Sequence, residues 1–152
     1  MRRLILLFPL LFTGMMSLAQ ELSETEENQL NLLNKAFAED SSKISLNYSW
    51  LLYRSGEEGS SVKADLILNS FIAMQDSNPE SFMYGQWGWR EDDQGRRSGD
   101  QNNALFQAHI MFCGLWNEQK KMSPATRENF IASCRRMTEA VVRRWDYEVF
   151  DI

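Results

Sequence analysis

The stretch Gln101–Asn117, QNNALFQAHIMFCGLWN, decides the fold. Its seventeen residues contain no Asp, Glu, Lys or Arg, in a chain that is 24% charged. Wound as a helix, it has Leu105, Phe106, Ile110, Met111, Phe112, Leu115 and Trp116 around most of its circumference. A helix apolar nearly all round is one buried on several sides. Asp100, just before it, is a good N-cap. His109 reads as a core histidine with a hydrogen-bond partner rather than a catalytic one.

Downstream, Ser123-Pro124 is a second helix start, with Ser as N-cap and Pro at the first helical position. Phe130, Cys134, Met137, Val141 and Trp145 then form one apolar stripe, and Arg and Glu residues fill the other face. This predicts an amphipathic helix over 124–145, folded back on the buried one as an αα-hairpin. Upstream, Ser23-Glu24-Thr25-Glu26 has the form of a capping box and opens a helix over 24–39. Ala64, Ile67, Leu68, Phe71 and Ile72 mark another over 62–75, stopped by Asn78-Pro79. Between these, Ile44, Leu46, Tyr48, Trp50 and Leu52 alternate with polar residues at the period of a strand, though no second strand is at hand to pair with one. The expectation is an all-α chain of antiparallel hairpins with a possible short strand at 44–53.

Residues 1–19 read as a secretory signal peptide: Arg2 and Arg3, an apolar run from Leu4 to Phe12, and small residues at Ser17 and Ala19. The run is too short to cross a membrane as a helix. Cleavage after Ala19 leaves one α-helical domain over 20–152, in the periplasm or outside the cell, with no stable membrane anchor. Losing Arg2 and Arg3 leaves 14 basic against 21 acidic residues, a net charge of −7. An acidic chain without a Lys/Arg run is a poor binder of phosphate backbones, so no nucleic-acid partner is expected. The two cysteines do not suit a bridge: folding back near 120 leaves Cys134 roughly 9 Å along the helix axis from the level of Cys113. Both are expected as free, buried thiols. No nucleophile elbow, phosphate loop, dinucleotide fingerprint or CxxC occurs, and a single His excludes a His-rich zinc site. No metal or cofactor is expected.

The long connection at 76–99 is polar and aromatic, and connections of that length in compact domains are commonly functional. Its core, Tyr84-Gly85-Gln86-Trp87-Gly88-Trp89-Arg90-Glu91-Asp92-Asp93, is followed by Asp100-Gln101-Asn102-Asn103-Ala104-Leu105-Phe106. A Gly/Trp segment, an acidic pair and a D-x-N-x-x-x-F helix start in this order resemble the N-terminal hairpins of six-hairpin, (α/α)-toroid carbohydrate-active proteins, over about residues 60–148. The resemblance implies glycoside hydrolase- or polysaccharide lyase-like chemistry on an oligosaccharide or polysaccharide. A toroid needs about twelve helices and this chain supplies four or five, so an incomplete toroid is implied, without a complete active site of its own.

Indole faces stack on the C–H faces of sugars, and carboxylates and amides bond their hydroxyls. Tyr84, Trp87, Trp89, Glu91, Asp100 and Asn103 are therefore the candidate substrate-binding residues, and Asp92 and Asp93 the candidate acid and base, a role that needs two carboxylates about 5–10 Å apart. Against this stands a purely structural role: Trp side chains plugging the end of the helix bundle, Asp100 acting only as a cap, and the acids solvated. The same sequence also fits a non-enzymatic exported interaction module, or a fragment of a longer enzyme with no function alone.

Overall fold

The computed structural model describes residues 21–88, 90–91, 97–98 and 103–150, which are mostly helical. The signal-like residues 1–19 and the proposed cap Asp100 lie outside the described residues. Helix α1 spans Glu24–Glu39 and opens with the full capping box. The Ser23 amide donates to Glu26 Oε2 at 2.8 Å, and the Glu26 amide donates to Ser23 Oγ at 3.4 Å. Leu30 is buried, and Leu33 and Phe37 pack against the core beside it.

Residues 46–55 are a helix, α2 (Leu46–Ser55), which corrects the expectation of a strand near 44–53. Ser45 caps it, its Oγ accepting from the Tyr48 amide at 3.1 Å, and Gly56 ends it in the left-handed conformation at φ +64°. The alternation misleads because this helix is covered on almost every side. Leu46, Tyr48, Ser49, Leu51, Leu52 and Tyr53 are all buried, so polar and apolar positions alike face protein. A helix satisfies its own backbone, as a strand without a partner does not. The innermost element of the described fold is thus α2, packed on α1, α3 and the segment that follows Asn103.

Helix α3 (Ser60–Ala73) folds back on α2 through the turn at Gly56–Gly59 and buries Ala64, Ile67, Leu68 and Ile72. It ends at Ala73, ahead of Asn78-Pro79. Beyond it, Arg90–Glu91 (β1) and Arg97–Ser98 (β2) form a two-residue antiparallel pair.

The uncharged stretch is helical but not uniform. It comprises α4 (Asn103–Ala108), a π-helical segment at His109–Leu115 and a short α5 (Trp116–Glu118), closed by a 3₁₀ turn at Gln119–Lys121. Its burial also departs from expectation. Ala104, Met111, Gly114 and Leu115 are buried, whereas Leu105, Phe106, Phe112 and Trp116 are exposed, as are His109 and Cys113. The reason is coverage: α2 lies on one side of the stretch and α6 beside α4, and among the described residues nothing covers the other side.

Helix α6 (Pro124–Phe150) begins as its sequence signals, with the Thr126 amide donating to Ser123 Oγ at 3.3 Å. Its stripe packs inward through Phe130, Cys134 and Met137, with Val141 partly buried. Both cysteines are free. Cys134 is buried as expected; Cys113 is exposed, because it lies on the uncovered side of the π segment.

Candidate functional site

The connection after α3 is built around Gln75. Its side-chain amide nitrogen donates to the carbonyls of Gly85 (2.9 Å) and Ser133 (3.2 Å). Its Oε1 accepts from Ser133 Oγ at 2.9 Å and Arg136 Nε at 3.0 Å. One buried amide thereby fastens the loop to α6, with all its hydrogen-bonding capacity toward both used. Asp76 organises the turn, its Oδ1 accepting from the Asn78 amide at 2.9 Å and its Oδ2 from Ser81 Oγ at 2.5 Å. Gly85 has φ +75°, and a Cβ there would stand 2.3 Å from the Arg136 carbonyl oxygen. Only glycine allows the loop to lie this close to α6.

Trp87 points inward. It is 3% exposed, its ring centroid lies 5.6 Å from that of Phe71, and its Nε1 donates to the Phe71 carbonyl at 3.1 Å. It is part of the core, which corrects its reading as a surface platform for sugar. Its neighbour Gln86 is also buried and accepts the Ala104 amide on Oε1 at 2.7 Å. This side chain from the preceding loop therefore satisfies an amide at the start of α4.

Tyr84 stays partly exposed. Its hydroxyl donates to Glu139 Oε2 at 2.7 Å, and the Arg143 guanidinium lies 4.4 Å from its ring centroid. The Glu139 carboxylate accepting that bond pushes the phenol above its ordinary range. Arg143 also donates to the Pro79 carbonyl at 2.9 Å. Of the remaining candidates, the described residues include Glu91 and Asn103. The backbone of Glu91 pairs opposite Arg97, and Asn103 opens α4. Trp89, Asp92, Asp93 and Asp100 lie outside the described residues. Among the described residues no three His, Cys, Asp or Glu side chains gather as metal ligands. An open cleft of about 430 Å³ between the start of α1 and the end of α2 is lined by Glu21, Leu22, Glu27, Leu30, Asn31, Ser55 and Glu57, none of them a predicted site residue.

The feature that sequence reasoning missed is the uncovered side of 103–116. Leu105 is 49% exposed, Phe106 65%, Phe112 43% and Trp116 41%. The Trp116 ring stands 6.2 Å from Phe112 and 6.2 Å from buried Phe130, which holds it as a fixed flat surface. On the opposite side Gly114 lies against Trp50, where a Cβ would come within 3.1 Å of Trp50 Cδ1. That close approach seats the segment on α2 and leaves its aromatic side outward. Gly114 was the available signal: a glycine inside a helix often marks close packing.

No protein-family model, no curated protein and no solved structure matches this chain.

Proposed function

We propose that this chain is a non-enzymatic helical interaction module that docks a protein partner on the uncovered side of residues 103–116. The observation that carries this is the exposure of Leu105, Phe106, Phe112 and Trp116 on a segment devoid of charge. Exposed apolar patches of this kind mark interaction sites. The leader-like pattern of residues 1–19 supports export. The test is the double variant Phe106→Ser/Phe112→Ser. At a dilution where the chain is monomeric, its melting temperature stays close to that of the parent, since surface substitutions away from core features change stability by only about 0.5 kcal/mol. Its retention on a hydrophobic-interaction column falls. A variant that unfolds would show the side chains to be core, and the reading would fail.

A second reading keeps the glycan. It is favoured by Tyr84, a partly exposed ring with a carboxylate and a guanidinium beside it, the parts that bind a sugar hydroxyl. On this reading the α2–α3 and 103–150 hairpins are parts of an (α/α) toroid, and Tyr84, Trp89 and Glu91 touch substrate, with Asp92 and Asp93 as acid and base. Binding to a glycan array that is lost on Tyr84→Ala supports it; an array with no signal for the parent protein removes it.

A further inference from the structure

We infer that the occupant of the 103–116 surface is a second copy of this chain, in a two-fold dimer; the inference rests on reading that surface as a docking site. Three observations fit a second copy of this chain on this surface. The first is charge. The chain carries a formal −5, so two copies approach each other with net like charge. The stretch Gln101–Asn117 carries no Asp, Glu, Lys or Arg, so it is where two copies approach with the least repulsion. A charged foreign partner would gain nothing there by complementarity.

The second is self-complementarity. A two-fold interface places one patch against itself, and neutral aromatic side chains are suited to both sides of such a contact. The third is area. At 41–65% exposure, the four apolar side chains present roughly 400 Å² per copy, taking about 150–250 Å² for a whole aromatic side chain. Two copies contribute twice that, and exposed His109, Cys113, Asn117 and Ile131 alongside extend it toward the roughly 1,200 Å² at which specific interfaces begin.

Cys113 lies among these exposed residues while Cys134 is 4% exposed, so the chain has its own interface probe. The experiment is sedimentation equilibrium of the chain at micromolar concentration, with a short bismaleimide cross-linker as the second readout. The expected result is a concentration-dependent doubling of mass, at least a tenfold weaker association in Phe106→Ser/Phe112→Ser, and a cross-linked dimer abolished by Cys113→Ser but not by Cys134→Ser. A parent that stays monomeric while the double variant keeps its fold would overturn the dimer and leave the surface to a foreign partner. A dimer that persists undiminished in the folded double variant would also overturn it, placing the contact elsewhere. An unfolded double variant would overturn the docking surface itself, and the dimer with it.

Discussion

At the scale of single residues, the strongest constraints are long-range contacts made by small or polar groups. Gly85 combines a left-handed φ with an approach to the Arg136 carbonyl that no side chain tolerates. Gly85→Ala is expected to cost about 2–4 kcal/mol, strain and clash together, read as a fall in denaturation midpoint at unchanged m-value. Trp87→Ala removes a buried ring and a hydrogen bond and should cost about 3–5 kcal/mol. A stable Trp87→Ala that had lost only glycan binding would instead restore Trp87 as a platform. The thiols are expected to differ in reactivity. Burial pushes Cys134 up to about 12, so it remains a thiol near pH 8, and the thiolate is the nucleophile. At a dilution where the chain is monomeric, a maleimide should therefore label one cysteine per native chain, Cys113, and two after denaturation. Little of this was legible in the sequence. The Ser23–Glu26 box was, because both partners lie within one turn. Gly85 and Tyr84 take their meaning from Arg136, Glu139 and Arg143, more than fifty positions away, and no local pattern encodes those contacts.

At the scale of elements, the helices with one apolar stripe were readable and those without one were not. For α1 and α6 the stripe and the cap agree, for α3 the stripe stands without a side-chain cap, and the structure has helices at all three. For α2 the stripe is absent because the helix is surrounded, and a strand-like alternation filled the gap. Its cap, Ser45, was the better signal. Ser45→Ala should lower stability by about 1 kcal/mol, measured by chemical denaturation. The first helix is tied down through Glu26, which the Ser23 amide, above all, holds below the carboxylate's ordinary 4.5, with Arg54 pairing at 2.7 Å. A lowered pKa means the folded state binds the proton less tightly than the unfolded one, so the contribution is complete above 4.5 and is lost as pH falls through the lower folded value. The melting temperature should therefore drop more steeply below pH 4.5 in the parent than in Glu26→Gln. Equal slopes would remove Glu26 from the account. In 101–117, absence of charge reads as burial. Composition records that a segment avoids water-seeking charge; it does not record whether the cover is the chain's own core or a partner.

At the scale of the molecule, the described fold is a helical array centred on α2, with the 103–118 segment seated on it by Gly114 and, among the described residues, left bare on its far side. The all-α class was legible from helix periods and caps. The ring arrangement and the sugar chemistry came from a resemblance whose key positions, Trp89, Asp92, Asp93 and Asp100, lie outside the described residues. What the described residues offer instead is a neutral aromatic surface on an acidic chain. The measurement that tests this most directly is hydroxyl-radical footprinting of the dilute protein, read residue by residue. The account predicts heavy oxidation of Phe106, Phe112 and Trp116 and protection of Tyr48, Tyr53 and Trp87. Protection of Phe106 and Trp116 at a dilution where the chain is monomeric, with Trp87 oxidised, would contradict it.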